Sequence, residues 1–145
     1  MSVELPFAPV DTIIRRNADG LRVSADAAEE LAHRVQDRGA GLAATAAERA
    51  TADGRKTLMV ADFDVDPNAV PPTDELTLPI APVDRIARLD IDDTYRVSMD
   101  ARVALATVLE RYAVDAAAGA AVLARHADRR TVQAEDVATY FRLVE

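Results

Sequence analysis

The sequence predicts an all-α protein built from two similar halves, each made of a short helix, a long helix and a short helix. Two observations support this prediction. Segments of the first half recur in the second half at a nearly constant spacing, and each half contains one long proline-free segment with apolar residues at helical spacing. Because a half of about 65 residues is marginal in size for a core of its own, we expect the halves to pack against each other with their long helices crossing.

Three motifs occur in the same order in both halves. They are Leu5–Asp11 and Leu78–Asp84, Arg22–Ser24 and Arg96–Ser98, and Arg55–Thr57 and Arg129–Thr131. Between the halves, residues 64–77 contain three prolines and several acidic residues, a composition typical of an extended linker. We therefore predict one domain at residues 1–63 and a second at residues 78–145.

The short helices are bounded by proline and aspartate. Pro9 and Pro82 suit the first turn of a helix, where the missing N–H costs nothing. Asp64 and Pro67 cut short the last helix of the first half. The expected ends are Asn17 and Leu89 for the two first helices, and about Val144 for the last helix of the second half.

The long helices are expected to begin after Ser24 and Ser98, which are good N-cap residues, and to end at the loops around Gly54 and Asp128. About 28 residues at 1.5 Å each give a helix of roughly 40 Å. The predicted buried stripes contain Leu31, Val35, Leu42 and Ala46 in the first half and Leu105, Val108, Leu109 and Tyr112 in the second.

The chain is acidic and contains almost no lysine. It has 25 Asp and Glu residues against 17 Lys and Arg, a net charge of −8, and Lys56 is its only lysine. Such a surface indicates a protein that works in multimolar salt, where repulsion between like charges is screened. The alternative is an acidic protein from a genome of high GC content. The acidic excess is divided evenly between residues 1–66 and 67–145, so neither half is a basic module.

Composition also excludes several classes of protein. The chain has no cysteine and two histidines, which excludes a disulfide framework and argues against a metal cluster. It has no glycine-rich phosphate loop, nucleophile elbow or HExxH motif, so we expect neither an enzyme nor a cofactor or small-molecule substrate. No apolar run approaches the roughly 18 residues of a membrane span and no secretory signal is present, so we expect a cytoplasmic protein without membrane contact.

The motifs, in this order and spacing, resemble those of the archaeal histones. The resemblance covers Leu5 to about Phe63 and Leu78 to about Phe141, and it is closer in the second half. Two such folds on one acidic chain resemble the fused, doublet histones of salt-loving archaea. The resemblance implies two histone folds that clasp in a handshake. It also implies a chromosome-associated protein that bends or wraps double-stranded DNA largely independently of sequence and affects transcription.

The resemblance further implies which residues contact DNA. In the handshake, the first loop of one fold lies beside the second loop of the other, and a third surface forms where the two first helices meet. Paired loops and helix N-termini present N–H groups to phosphates, and an arginine in a narrow minor groove reads shape rather than base identity. The implied residues are Arg22, Arg129, Arg130 and Thr131 in one loop pair, Arg55, Lys56, Thr57 and Arg96 in the other, and Arg15, Arg85 and Arg88 on the first helices.

Most of these residues have an alternative role. Arg55 and Arg129 lie seven residues before Asp62 and Asp136, so a structural salt bridge is equally consistent and is the role implied by the family. In each half, the basic residue that follows is the better phosphate ligand. Arg22 and Arg96 could instead be ordinary loop arginines exposed to solvent. Thr57 and Thr131 could form hydrogen bonds with the backbone of their own loops. Arg15 and Arg88, near helix C-termini, could interact favourably with the helix dipole.

The end of the second long helix is expected to join two chains. In the family a leucine and a histidine at this position join dimers, and the second half retains them as Leu123 and His126, with Asp136 as a candidate partner. The first half has Arg49 and Ala52 instead, so two chains would pair through their second halves and stop at a closed homodimer. The alternative is that His126 is an isolated surface histidine.

For the function, we predict a DNA-binding histone. Salt weakens the binding of cations to phosphates, so an acidic chain with few phosphate contacts is expected to bind DNA with modest affinity in multimolar salt. Such a chain is better suited to shaping DNA locally than to coating a genome. The alternative is a histone-fold protein-interaction or transcription-regulator module with little direct DNA binding.

Overall fold

The computed structural model describes residues 3–145, and helices dominate this part of the chain. The helices are α1 Phe7–Asn17, α2 Ala25–Ala52, α3 Ile80–Ala87, α4 Met99–His126 and α5 Ala134–Val144. Four two-residue strands lie in the described loops: β1 Arg22–Val23, β2 Thr57–Leu58, β3 Arg96–Val97 and β4 Thr131–Val132. The prediction of an all-α protein is therefore confirmed.

The two long helices have the lengths and starts that the sequence predicts. α2 and α4 each contain 28 residues. Ser24 and Ser98 accept hydrogen bonds from the N–H groups three residues further on, at 3.2 and 3.1 Å, and so cap the two helices. After each helix the chain turns through a left-handed residue, Gly54 with φ +73° and Asp128 with φ +59°. Glycine adopts this conformation without a steric cost, whereas aspartate adopts it at some cost.

The short elements differ between the halves. The first half ends in a 3₁₀ helix of four residues, Val60–Phe63, where the second half has the eleven residues of α5. This confirms that the last helix of the first half is cut short. α3 ends at Ala87, two residues before the predicted end at Leu89. Three aspartates follow within residues 90–93, and negative charge beside a helix C-terminus disfavours continuation of the helix.

The linker is less extended than the prolines predict. It contains two single-turn 3₁₀ helices, Pro67–Ala69 and Thr73–Glu75. The Asp66 carboxylate accepts a hydrogen bond from the Asn68 N–H at 2.9 Å and caps the first of them. Proline at the first helical position and aspartate at the cap therefore favour a turn here, where composition alone indicates an extended chain.

The chain divides into two compact units, and each unit takes residues from both sequence halves. Among the described residues, unit 1 consists of residues 3–5 and Gln36–Glu110, and unit 2 consists of Pro6–Val35 and Arg111–Glu145. Consequently α2 and α4 each contribute to both units. Unit 1 contains β2 and β3, and unit 2 contains β1 and β4.

Each unit has its own apolar core. Fully buried side chains include Leu58, Ile86, Leu105 and Leu109 in unit 1 and Ile13, Ile14, Leu31, Val35 and Phe141 in unit 2. The predicted stripes are only partly buried, because Leu42, Val108 and Tyr112 remain half-buried. Small residues allow close packing: a Cβ atom on Gly119 would lie 2.1 Å from Cδ1 of the Tyr140 ring.

In unit 1, one polar side chain of each long helix forms hydrogen bonds with the backbone at the start of the repeated motif Leu5–Asp11 or Leu78–Asp84. The Gln36 side-chain oxygen accepts a hydrogen bond from the Glu4 N–H at 2.7 Å. One Glu110 carboxylate oxygen accepts hydrogen bonds from the N–H groups of Thr77 and Leu78 at 2.6 and 2.9 Å. In both halves the long helix therefore satisfies the backbone just before the first short helix, a role that no spacing in the sequence indicates.

Candidate nucleic-acid interface

Each unit contains one pair of loops, with one loop from each half. In unit 2, β1 pairs in parallel with β4, and in unit 1, β2 pairs in parallel with β3. The register places Arg22 opposite Thr131 and Arg96 opposite Thr57. The expected pairing of each first loop with the second loop of the other half is therefore confirmed.

The strands direct their arginines to the surface. Successive residues of a strand point to opposite faces, and Arg22 and Arg96 are exposed while the following Val23 and Val97 are buried. Within residues 3–145, the guanidinium groups of Arg22, Arg96 and Arg130 form neither an ion pair nor a side-chain hydrogen bond. These three cations are therefore available to an anion from solution.

Arg55 is held inside the loop pair of unit 1. Its two terminal nitrogens each donate to a different carboxylate oxygen of Asp62 at 2.9 Å, and Nη1 also donates to the Thr57 carbonyl at 2.8 Å. Asp62 also accepts a hydrogen bond from the Met59 N–H at 2.8 Å. The Arg55 hydrogen bonds, followed by the Met59 one, lower the pKa of Asp62 despite its burial, and the same pair raises the pKa of Arg55.

Arg129 has the equivalent position in unit 2. It donates to both carboxylate oxygens of Asp136, with Nη1 to Oδ2 at 2.6 Å, and Asp136 is 2 % exposed. This ion pair raises the pKa of Arg129. In both predicted Arg–Asp pairs the two side chains are therefore in contact. The residues that follow the two arginines, Lys56 and Arg130, lie at the surface.

The two outward cations differ in their surroundings. The Lys56 ammonium lies over the ring of Tyr95, 4.6 Å from its centroid, and the Tyr95 hydroxyl shares a hydrogen bond with the Thr51 hydroxyl. Tyr95 was not predicted as part of the site, because Lys56 and Tyr95 come from different halves of the chain. Thr57 and Thr131 are half-buried at their strand positions.

The arginines of the first helices are each paired with a carboxylate. Arg15 bonds Asp11 at 2.6 Å, Arg88 bonds Asp84 at 3.1 Å, and Arg85 bonds Glu4 at 3.2 Å. All three arginines are exposed and therefore accessible to a phosphate. Because each is already paired, a phosphate would have to compete with its carboxylate partner. They are weaker candidates for DNA contact than the loop arginines.

The residues predicted to join two chains lie at the end of α4. Leu123 is half-buried and His126 is exposed, beside Val122, which is 66 % exposed. The Asp136 carboxylate is occupied by Arg129 and by the Gln133 N–H at 2.8 Å, so the described structure gives it no contact with His126. At the position equivalent to Leu123, Arg49 donates to the Asp62 carbonyl at 2.9 Å within unit 1.

The described part of the chain offers neither a metal site nor a membrane span. Within residues 3–145, no group of histidine and acidic residues has an arrangement that could hold a metal ion. None of the helices in this range is both long and apolar enough to cross a bilayer.

Comparison with known proteins identifies the family. Residues 3–64 and 76–139 match the family described as histone-like transcription factor (CBF/NF-Y) and archaeal histone. The chain is 53% identical over 60 residues to a subunit of the archaeal histone HAN1 from Thermococcus zilligii, a match that covers 41% of this chain and 87% of that protein.

Solved structures show the same fold. The crystal structure of the histone from Methanopyrus kandleri superposes with a TM-score of 0.70 and 27% identity, covering 94% of this chain and 92% of that chain. The crystal structure of a Thermus thermophilus protein has a TM-score of 0.70 at 17% identity, covering 97% of each chain, and shares the fold alone.

These matches agree with the repeat, with the helices and with the pairing of loops from opposite halves. The two matched segments are histone folds in tandem, and histone-fold proteins are structural rather than catalytic, so the chain is not an enzyme. The chain belongs to the family of histone-like transcription factors and archaeal histones.

Proposed function

We propose that this chain is a DNA-binding chromatin protein that bends or wraps double-stranded DNA largely independently of sequence. The observation that supports this most is the loop geometry: Arg22 and Arg96 extend from paired loops and have no acidic partner within residues 3–145. Each loop runs directly into the N-terminus of a long helix, where free N–H groups favour an anion. Arginines in this setting bind phosphates and carry little base specificity.

The charge of the chain favours a local role. Its net charge is −8, and each loop pair offers only two cations without an acidic partner in the described structure, so the number of phosphate contacts is small. Few contacts give a moderate affinity. We infer that the protein shapes DNA at limited sites on the chromosome and thereby affects transcription, and that it is a doublet histone adapted to concentrated salt.

The same proposal includes a homodimer formed through the second half. The end of α4 presents Val122, Leu123 and His126 on a partly exposed surface. The equivalent part of the first half uses Arg49 for a bond within its own unit. One self-associating surface per chain gives a closed pair rather than a filament.

The second candidate is a histone-fold interaction module with little DNA contact. Two observations favour it: the acidic net charge, and the pairing of Arg15, Arg85 and Arg88 with carboxylates. Such a protein would keep its function without its loop arginines.

The experiment that separates these candidates is a gel-shift and nuclease-protection titration on random-sequence duplex DNA, from about 0.1 M to about 3 M KCl. Wild type is compared with the double variant Arg22→Ala/Arg96→Ala. Arg111→Ala/Arg142→Ala is the matched control, since it removes the same charge from exposed helical positions. Protection that is lost in the first variant and kept in the control supports the DNA-binding proposal. The absence of any shift at salt concentrations where the protein is folded contradicts it and favours the interaction module.

A further inference from the structure

We propose that the two loop pairs contribute unequally to DNA binding. In this proposal the Arg22 and Arg130 surface of unit 2 is the main phosphate-binding site, and the Arg96 and Lys56 surface of unit 1 is a weakened contact. The inference rests on the proposed DNA binding and adds to it which residues supply most of the affinity.

The first reason is the different environment of Lys56 and Arg130, which occupy equivalent positions of the repeat. The Lys56 ammonium lies 4.6 Å from the centroid of the Tyr95 ring, whose negative face attracts cations. The position equivalent to Tyr95 in the first half is Leu21, which has no aromatic face. A phosphate must therefore compete for Lys56 with an aromatic contact that Arg130 does not make within residues 3–145.

The second reason is the charge of the loop that precedes each arginine strand. The loop before β3 contains Asp90, Asp92 and Asp93, all close in sequence to Arg96 and without an ion pair in the described structure. The loop before β1 contains Asp19, whose carboxylate is paired with Arg125 at 3.2 Å. Of these two loops, the one in unit 1 therefore has the larger unpaired negative charge, which repels an approaching phosphate.

Asp92 is held in its charged form. Its carboxylate accepts a hydrogen bond from the Thr94 N–H at 2.9 Å. The backbone and side chain of Thr94 lower the pKa of Asp92, and the positive charge of Lys56 acts in the same direction. Lys56 therefore lies within the field of a permanent carboxylate as well as over an aromatic ring.

The third reason is the chemistry of the side chains. Arginine binds a phosphate through two parallel N–H donors, whereas lysine acts as a point charge. The unit 2 surface has two arginines free of acidic partners in the described structure, because Arg129 alone forms the bond with Asp136. The unit 1 surface has one free arginine and the lysine held at Tyr95.

The test compares two double variants that remove the same charge, Arg22→Ala/Arg130→Ala and Lys56→Ala/Arg96→Ala. Affinity for a random-sequence duplex is measured as a function of KCl concentration. We expect the unit 2 variant to lose about tenfold more affinity than the unit 1 variant, and to reduce the slope of log affinity against log salt by about 2, as the loss of two phosphate contacts requires. The unit 1 variant should reduce the slope by about 1 or less.

A gain-of-affinity variant tests the same proposal without removing a cation. Asp92→Asn/Asp93→Asn preserves the shape of the loop, and we expect it to raise affinity by about threefold or more at low salt, with the gain falling as salt screens the charges. Asp74→Asn/Glu75→Gln in the linker is the matched control, because both residues are exposed and the same charge is removed. The control should leave affinity nearly unchanged.

The outcomes distinguish the two proposals. Equal losses in both double variants, or no gain from the Asp92 and Asp93 substitutions beyond that of the control, would overturn the inequality and leave DNA binding in place. A wild-type protein that binds no DNA while folded would overturn both. Circular dichroism melting curves check that each variant folds, and the gain-of-affinity variant decides the question if a loop arginine variant does not.

Discussion

Arg55 donates hydrogen bonds to both carboxylate oxygens of Asp62, each at 2.9 Å, and Asp62 is 4 % exposed. The bond links the loop after α2 to the 3₁₀ helix Val60–Phe63. Arg129 and Asp136 make the equivalent link to α5. In each half the first basic residue of the second loop thus stabilises the fold, whereas the second one, Lys56 or Arg130, forms no ion pair in the described structure.

Replacing Asp62 with Asn should destabilise the protein by about 2 kcal/mol at pH 7, because Arg55 would keep its charge with only the exposed Asp53 carboxylate, 3.0 Å from its Nη2, as a partner. The pKa of Asp62 is lowered in the folded state, so its contribution is complete above the ordinary aspartate pKa of about 4 and is lost as pH falls through the lower folded value. Urea unfolding of wild type and variant at neutral and acidic pH measures this. The difference between the two proteins should shrink in acid, and a difference independent of pH would contradict the assignment.

The neighbours Arg129 and Arg130 should separate stability from binding. Arg129→Ala breaks the bond to the buried Asp136 and should lower the melting temperature by several degrees. Arg130→Ala removes a side chain without an acidic partner in the described structure, so it should leave the melting temperature within about a degree and weaken DNA binding. Calorimetry and gel-shift titration of both variants test this division. Equal effects of the two substitutions on stability would show that Arg130 has a structural role.

Two glycines of α2 should respond in opposite directions to the same substitution. A Cβ atom on Gly41 meets nothing within 4 Å, so Gly41→Ala should stabilise the protein by about 0.5–1 kcal/mol through helix propensity. A Cβ atom on Gly39 would lie 2.7 Å from Cγ2 of Ile86 and 2.9 Å from Cδ1 of Leu109, so Gly39→Ala should destabilise it by about 1–3 kcal/mol. Denaturant unfolding measures both, and stabilisation by Gly39→Ala would contradict the close packing of this helix.

The proposed homodimer is tested at the end of α4. Leu123→Glu places a charge on the surface that is proposed to be buried between two chains, and it should convert dimer to monomer. Light scattering after size-exclusion chromatography, at high salt, gives the mass of each species. Glu48→Ala on α2 is the control, since Glu48 is exposed in the other half. A wild-type protein that is monomeric at high concentration contradicts the dimer.

The proposed adaptation to salt predicts a dependence of stability on ionic strength. With a net charge of −8, repulsion between acidic side chains opposes folding at low salt. The melting temperature should rise steeply as KCl increases from about 0.1 M and level off above about 1 M, where the screening length is about 3 Å. Thermal melting monitored by circular dichroism provides the measurement. A melting temperature that does not change with salt would favour the high-GC explanation of the composition.

Local sequence signals were sufficient to predict the helices. Ser24 and Ser98 mark the starts of α2 and α4 because a cap bonds N–H groups only a few residues away. The repeat predicted two similar folds, and the proline and aspartate after Phe63 predicted the shortened last helix of the first half. The prediction was less accurate in the linker, where it rested on composition alone. The prolines and acidic residues indicated an extended chain, whereas Asp66 and Pro67 initiate a turn.

The roles of individual cations depended on contacts between distant parts of the chain. Lys56 lies over Tyr95, and Gln36 and Glu110 bind the backbone more than thirty residues away, which no spacing in the sequence indicates. Helix starts follow from short-range hydrogen bonds and can be inferred from neighbours in the chain. The availability of a cation depends on every group that folding brings near it, so the difference between Lys56 and Arg130 emerged only once the loops of opposite halves were paired.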